Sequence, residues 1–214
     1  MKIDKKSLCL YLVTDRAWLK ENALADQIET AVKSGVTFVQ LREKKLALKD
    51  FIKMAEKIKR ITDACQVPFV INDNIEVALA IDADGVHVGQ QDMNARDVRK
   101  IIGNDKILGV SAQTVEHALA AERCGADYLG VGAVFGTDTK LDAQRVSRDT
   151  LKEITKRVRI PVVAIGGIDE TNILTLKGSH IEGVAVVSAI LAKPDICAAT
   201  RNLKKLAQAL TQAV

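Results

Sequence analysis

Short apolar segments alternate with longer segments of helical periodicity along the whole chain. Eight runs rich in Val, Ile, Leu and Ala have nearly continuous hydrophobic character, which is typical of strands buried on both faces of a parallel sheet. They occupy residues 8–13, 37–41, 68–71, 85–88, 106–110, 128–131, 161–165 and 183–187. We expect a helical segment after each run, the shortest lying between Asn74 and Asp82.

The segments between the apolar runs have the periodicity of amphipathic helices. Ser147 precedes one of them and is expected to cap it, because a serine side chain accepts a hydrogen bond from a first-turn amide. Three apolar stripes support the helices: Phe51, Met54, Ala55, Ile58 and Ile61; Leu151, Ile154 and Val158; and Leu203, Leu206, Ala207 and Leu210.

This repetition predicts an α/β fold, a single-domain (β/α)8 TIM barrel spanning residues 1–214. A closed ring of strands leaves no exposed sheet edge, and 214 residues suit one such core. An open doubly wound sheet is the competing architecture. It would need a boundary strand of different character, and none is visible.

Composition excludes several functions without changing the predicted fold. The chain has 31 Lys+Arg against 27 Asp+Glu, with the two signs interspersed, and only 3% aromatic residues. Such a chain is not expected to bind nucleic acid, whereas its formal net charge of +4 suits small anionic substrates. No stretch approaches the roughly 18 apolar residues of a membrane helix.

Several features favour a reduced, cytoplasmic location. The apolar run at residues 8–13 is short for a signal-peptide core, and charged residues follow it at once. The four cysteines form no C-x-x-C pair, so we expect buried free thiols. They are Cys9, Cys65, Cys124 and Cys197.

In a barrel of this kind the active site lies at the carboxyl ends of the strands. After the second strand, Gln40, Arg42 and Lys44 alternate, so in an extended chain they share one face. An arginine fork and a lysine charge suit a diphosphate group. The alternative is a solvated start to the next helix.

Acidic residues follow the third and fourth strands. Asn72 and Asp73 end one strand, and Asp92 follows the other, so both carboxylates are expected at one rim. Two carboxylates beside an amide make an oxygen site that suits Mg²⁺ shared with substrate phosphates. Each residue could instead cap the helix that follows it.

Hydroxyl and basic residues follow the fifth and sixth strands. Ser111 is placed to meet substrate, while Thr114 is expected to cap the next helix. Thr137, Thr139 and Lys140 lie in a long connection and favour an anion, although a solvated loop is the alternative.

The last two strands carry the features of a phosphate site. Gly167 follows the seventh strand, and Ser188 follows Val187 at the end of the eighth. Loops after these two strands commonly bind phosphate in barrels, through backbone N–H groups near a helix N-terminus. We assign none of the three histidines, including His87, to metal binding or base catalysis.

Taken in order, these motifs resemble the thiamine-phosphate synthase (thiamine-phosphate pyrophosphorylase) family from residue 11 to residue 188. They are Tyr-Leu-Val-Thr-Asp, Gln-Leu-Arg-x-Lys, Asn-Asp, Asp-Gly-Val-His-x-Gly-Gln-x-Asp, Gly-Val-Ser, Thr-x-Thr-Lys, Ile-Gly-Gly-Ile and Val-Ser-Ala-Ile. The resemblance implies a transferase of thiamine biosynthesis. It would join 4-amino-2-methyl-5-hydroxymethylpyrimidine diphosphate to 4-methyl-5-(2-phosphoethyl)thiazole and release diphosphate.

The resemblance also implies roles for individual residues. Asp73 and Asp92 would hold Mg²⁺, and Ser111 would sit near the pyrimidine. Catalytic roles fall to Ser111, Lys140 and Arg42. The pyrimidine diphosphate would be bound by Gln40, Arg42, Lys44, Asn72 and Lys140, and the thiazole phosphate by Thr137, Thr139, Gly167, Val187 and Ser188.

The chain departs from the family pattern at two positions. Gln113 stands where a histidine often follows Gly-Val-Ser, and Gly136 stands where a proline often precedes Thr-x-Thr-Lys. The first leaves the role of residue 113 open, and the second is expected to loosen the loop that covers substrate.

Three other functions compete with the synthase. A thiazole tautomerase-like paralogue would not need the diphosphate and metal residues. A non-catalytic phosphate-ligand sensor could keep Gly167 and Ser188 while making no product. Another phosphosugar barrel enzyme would leave the Asp73–Asp92 pair unexplained. The sequence is compatible with a homo-oligomer.

Overall fold

A closed barrel of eight parallel strands forms the centre of the molecule. The computed structural model describes residues 3–18, 24–136 and 145–212. Each strand pairs with its neighbours in sequence, and the first closes the ring against the last, so the predicted (β/α)8 barrel is confirmed and the open sheet is excluded. The strands are β1 Leu10–Val13, β2 Phe38–Leu41, β3 Phe69–Asn72, β4 Gly85–Val88, β5 Ile107–Ala112, β6 Tyr128–Val131, β7 Val162–Ile165 and β8 Gly183–Val186.

Helices connect successive strands on the outside of the ring. They are α1 Leu24–Ser34, α2 Leu48–Ala64, α3 Ile75–Ala80, α4 Ala95–Ile102, α5 Val115–Arg123, α6 Arg148–Arg157, α7 Ser188–Leu191 and α8 Ile196–Thr211. The apolar stripes of these helices face the barrel: Phe51, Ala55 and Ile58 in α2, for example, are buried in the core.

The connection between β7 and β8 differs from the prediction, because it holds a 3-10 helix, Ile173–Leu176, in place of an α-helix. A turn comes first: the Asp169 carboxylate accepts hydrogen bonds from the backbone N–H groups of Thr171 and Asn172. The chain then turns again at Gly178, where φ is +73°. Too few residues lie between these turns for an α-helix, so the helix between Asn74 and Asp82, α3, is not the shortest helical segment between strands, contrary to the prediction.

Local interactions explain where several elements begin. β1 starts two residues later than predicted because Leu8 ends a 3-10 helix, Lys5–Leu8, that Asp4 caps. Ser147 caps α6 as predicted, since its hydroxyl accepts a hydrogen bond from the Thr150 N–H at 3.0 Å. Thr114 caps α5 in the same way.

Two apolar layers stabilise the barrel. The larger lies between the strands and the helices, and the smaller fills the ring itself. The inner layer contains Tyr11, Phe38 and Tyr128, whose rings pack at centroid separations of 4.6–6.0 Å. This inner layer brings polar hydroxyl groups into the barrel just below its rim.

All four cysteines are free thiols, but only Cys9 is buried. The expectation of burial is therefore wrong for Cys65, Cys124 and Cys197, which lie near element ends and are half-buried. Within residues 3–18, 24–136 and 145–212, no helix is both long and apolar enough to cross a membrane.

Candidate active site

Two acidic side chains meet at the rim formed by β3 and β4. Asp73 follows β3 directly, in a left-handed conformation with φ of +62°. Its N–H donates to the His87 carbonyl of β4 at 2.9 Å, which holds the turn against the neighbouring strand. The Asp92 carboxylate accepts a hydrogen bond from Gly89 N–H at 2.8 Å, which folds the β4 loop back over its strand.

Neither aspartate caps the helix that follows it. Asn74 caps α3 by accepting from Val77 N–H at 2.9 Å, and Asn94 caps α4 by accepting from Arg96 N–H at 2.9 Å. The capping alternative for Asp73 and Asp92 is therefore wrong, because neighbouring asparagines do that work.

Negative charge accumulates at this pair. Burial raises the pKa of Asp73, the adjacent Asp92 carboxyl raises it further, and Lys44 lowers it. The Lys44 ammonium contacts Asp73 Oδ2 at 2.6 Å but is half exposed. A partly desolvated carboxylate beside a second one favours binding of a cation.

The carboxylates offer a divalent cation only part of a coordination shell. Across the three described segments of the chain, no group of three or more His, Cys, Asp and Glu side chains could hold a metal ion. Mg²⁺ commonly takes one or two protein carboxylates and completes its shell with water and substrate phosphates. The donor set at Asp73 and Asp92 fits that mode of binding.

The residues predicted after β2 spread across the rim. Gln40 is buried inside the barrel and donates to Asn72 Oδ1 at 2.6 Å. Arg42 turns towards β1 and pairs with Asp15 at 2.6 Å, whereas Lys44 turns towards β3 and Asp73. The two basic groups thus flank the strand end from opposite sides, each held by a carboxylate.

Three polar side chains with no role predicted from the sequence, those of His87, Tyr128 and Tyr11, lie below this rim. His87 is buried, with Nδ1 at 2.9 Å from the Tyr128 hydroxyl and Nε2 at 3.0 Å from Ser111 Oγ. The Tyr128 hydroxyl is also 2.8 Å from that of Tyr11, which donates to Gln40 Oε1 at 2.8 Å. Ser111 itself is half-buried at the end of β5.

Register explains how His87 reaches Tyr128. Gly109 lies between them, paired with His87 on one side and with Tyr128 on the other. Because glycine has no side chain, the two neighbours can meet across β5. A glycine inside an apolar strand signals such a close approach and could have directed attention to this group.

Burial sets the protonation of these groups. It lowers the pKa of His87 to about 4, against the opposing effect of Asp92, so the imidazole is neutral at pH 7. Burial also raises the pKa of both Tyr11 and Tyr128. All three side chains are therefore neutral hydrogen-bonding groups.

The predicted phosphate residues lie at the ends of β7 and β8, which are neighbouring strands. Gly167 has φ of +63°, and a Cβ there would come within 2.9 Å of Phe135 Cβ and closer still to the Gly136 carbonyl. Glycine is thus needed where the β6 loop crosses β7. Val187 and Ser188 lead into the short helix α7, and both are half-buried.

Three predicted residues, Thr137, Thr139 and Lys140, lie outside the described residues. The preceding part of their loop is fixed by backbone hydrogen bonds from Val134 to Ile165 and from Phe135 to Gly166, each 3.0 Å. The loop therefore starts above the end of β7, next to Gly167.

Comparison with known proteins identifies the family. A family model described as thiamine monophosphate synthase matches residues 10–190, which include every strand of the barrel. The chain belongs to this family. A thiamine-phosphate synthase from Clostridium tetani is 55% identical over 194 residues, covering 91% of this chain and 93% of that protein.

Other members extend the similarity across distant organisms. A thiamine-phosphate synthase from Methanobrevibacter smithii is 53% identical over 198 residues, covering 92% of this chain and 94% of that protein. The solved structure of thiamine phosphate pyrophosphorylase from Pyrococcus furiosus matches with a TM-score of 0.88 and 34% identity. That match covers 96% of this chain and 98% of the other. The predicted family, fold and synthase function are confirmed.

Proposed function

We propose that this thiamine-phosphate synthase joins the pyrimidine diphosphate to the thiazole phosphate by Mg²⁺-assisted loss of diphosphate. One observation carries the metal assignment: Asp73 and Asp92 meet at the rim, where burial and the Asp92 carboxyl raise the pKa of Asp73 against the opposing effect of Lys44. Family membership supplies the reaction, and the geometry supports where its charged groups would bind.

The diphosphate would bind above β2 and β3. Arg42 and Lys44 already lie on either side of this position, each paired with a carboxylate. An incoming diphosphate would compete with Asp15 for the Arg42 guanidinium and with Asp73 for the Lys44 ammonium. Lys140, which the family pattern adds from the β6 loop, would supply a further positive charge.

A bound Mg²⁺ would neutralise charge on the departing diphosphate, and Asp73 and Asp92 would hold it there. Asp73 Oδ2 accepts from both Lys44 and Asn72, which orients this carboxylate at the rim. Arg42 and Lys44 would stabilise the same developing charge through preorganised hydrogen bonds.

Loss of diphosphate leaves an aminopyrimidine-methyl cation, which the thiazole nitrogen captures. The reaction requires no protein nucleophile, so its rate depends on charge stabilisation and on holding the two rings together. Thr137, Thr139, Gly167, Val187 and Ser188 would hold the thiazole phosphate, across the barrel mouth from the metal. Adjacent β7 and β8 ends support one phosphate position there.

The chain is proposed to act as one cytoplasmic domain on small phosphorylated molecules, with no nucleic-acid or membrane partner. The tautomerase and sensor alternatives are not favoured. Neither of these functions needs the lysine and the two carboxylates that converge at the rim.

Formation of thiamine phosphate from the two purified precursors tests the proposal. Product should appear with Mg²⁺ and disappear with chelator. Asp73→Asn and Asp92→Asn should lower kcat by at least about 100-fold, while Asp63→Asn, an exposed carboxylate at the end of α2, should match wild type. Equal activity with and without metal would overturn the metal assignment, and absence of product from folded protein would overturn the synthase proposal.

A further inference from the structure

A chain of hydrogen bonds crosses the barrel interior from Ser111 to Asp73. It joins strands β5, β4, β6, β1, β2 and β3, in that order, beneath the rim. Its separations are Ser111 Oγ to His87 Nε2, 3.0 Å; His87 Nδ1 to Tyr128 Oη, 2.9 Å; Tyr128 Oη to Tyr11 Oη, 2.8 Å; Tyr11 Oη to Gln40 Oε1, 2.8 Å; Gln40 Nε2 to Asn72 Oδ1, 2.6 Å; and Asn72 Nδ2 to Asp73 Oδ2, 2.5 Å.

The contacts of Asp73 determine the orientation of the side-chain amides of Asn72 and Gln40. Asp73 Oδ2 receives the Lys44 ammonium at 2.6 Å, so this oxygen is an acceptor. Asn72 must then present its NH₂ group to Asp73, because its carbonyl oxygen would repel the carboxylate. The Asn72 carbonyl is left to accept from Gln40, whose own carbonyl in turn faces Tyr11.

Each tyrosine has one proton to give, and this fixes the next two bonds. The Tyr11 proton goes to Gln40 Oε1, so Tyr11 can only accept from Tyr128. The Tyr128 proton goes to Tyr11, so Tyr128 can only accept from His87. His87 Nδ1 must therefore carry a hydrogen.

A neutral imidazole carries one N–H, so Nε2 of His87 is an acceptor. Its partner is the Ser111 hydroxyl, which gives up its only proton to Nε2. In each of the six hydrogen bonds the donor is thus on the Ser111 side and the acceptor on the side of the Asp73 carboxylate. The Ser111 oxygen keeps its lone pairs and has no proton left to donate.

We propose that His87 is a positioning residue of the synthase, held as the Nδ1–H tautomer so that Ser111 meets the substrate only as a hydrogen-bond acceptor. Ser111 would then select an N–H donor, which the 4-amino group of the pyrimidine provides. This substrate assignment rests on the proposed function, whereas the tautomer follows from the hydrogen bonds and from the burial that keeps the imidazole neutral.

Nitrogen-15 NMR of the free protein tests the tautomer directly. The chain has three histidines, so comparison of wild type with His117→Gln and His180→Gln identifies the His87 resonances by elimination. Long-range proton–nitrogen correlations at pH 7 should show His87 protonated at Nδ1 and bare at Nε2. Protonation at Nε2, alone or together with Nδ1, would overturn the inference.

A double-mutant cycle tests whether His87 acts through Ser111. Asn at position 87 can still donate to Tyr128 but cannot reach Ser111. His87→Asn should lower kcat/KM about 10- to 100-fold in the wild type, yet less than about threefold in a Ser111→Ala background. An equal loss in both backgrounds would show a merely structural role and overturn the proposal.

The two experiments separate the possible failures. The NMR measurement does not depend on turnover or on a substitution within the hydrogen-bonded chain, so a wrong tautomer counts against the His87 assignment alone. Absence of thiamine phosphate formation by wild type would count against the proposed function and leave the NMR result standing.

Discussion

Gly109→Ala is the single methyl addition expected to disturb both the fold and the site. A Cβ at residue 109 would lie 2.5 Å from His87 Nδ1 and closer still to the Tyr128 ring carbon Cζ and hydroxyl. Both neighbours are buried and packed by the inner layer of the barrel, so neither can move away freely. The added methyl group must displace one of these side chains, and this displacement breaks the His87–Tyr128 hydrogen bond.

The size of the effect follows from two costs. Overpacking a dense core typically costs about 1–3 kcal/mol. Leaving a buried polar group unpaired costs about 1–3 kcal/mol more. Together these costs amount to about 2–6 kcal/mol. For a domain of this length, 1 kcal/mol corresponds to about 2–4 °C in Tm, so a cost of about 4 kcal/mol would lower Tm by about 8–16 °C.

Thermal unfolding followed by circular dichroism measures this decrease. Gly136→Ala is the matched control, because among the described residues a Cβ there meets no atom closer than the Arg145 guanidinium at 3.9 Å, and its Tm should stay within about 2 °C of wild type. If Gly109→Ala unfolds at the same temperature as this control, His87 and Tyr128 do not meet across β5.

The remaining predictions concern stability and pH. Arg99→Ala should lower Tm by about 5–10 °C, because its guanidinium binds Asp127 and three backbone carbonyls; Arg157→Ala removes only an exposed pair and should change Tm by less than about 2 °C. Similar changes in Tm for Arg99→Ala and Arg157→Ala would refute the stabilising role given to the Arg99 guanidinium. Burial and Asp92 raise the pKa of Asp73, so its ionisation destabilises the fold as pH rises above about 4. In metal-free buffer, Asp73→Asn should therefore gain more Tm over wild type at pH 7 than at pH 4, and an equal gain would contradict the sign. Ser147→Ala should lower Tm by about 2–4 °C through loss of the α6 cap, with unchanged synthase activity; an unchanged Tm would show that the cap contributes nothing.

The fold could be predicted because each strand carries its own signal. Apolar runs located all eight strands to within two residues, and the closed ring followed from their repetition. The β7–β8 connection could not be predicted so well, since its turn at Asp169 competes with helix formation through local hydrogen bonds. The spacing of apolar residues in the sequence gives no information about whether a turn or a helix forms there.

The sequence predicted those parts of the candidate site that depend only on which strands are neighbours. Asp73 and Asp92 were expected together because they follow neighbouring strands, and they meet. The pairing of Arg42 with Asp15 was not foreseen, because alternation along a strand says nothing about which way a long side chain turns beyond the strand end.

The interior chain of polar groups was also missed. Tyr11 and Tyr128 are separated by 117 residues in sequence, and their contact depends on the width of the closed barrel. They are the only two tyrosines in the sequence, and each stands in an apolar run. A hydroxyl in such a run needs a buried partner, which was the available signal.

The central claim is that Asp73 and Asp92 hold the divalent cation that receives the diphosphate. A crystal structure with Mn²⁺ and a non-reactive pyrimidine diphosphate analogue, with the metal located by anomalous scattering, tests it most directly. We predict a metal within about 2.2 Å of an oxygen from each carboxylate and in contact with the diphosphate. A diphosphate bound with the metal elsewhere, or with neither carboxylate as a ligand, would contradict the account.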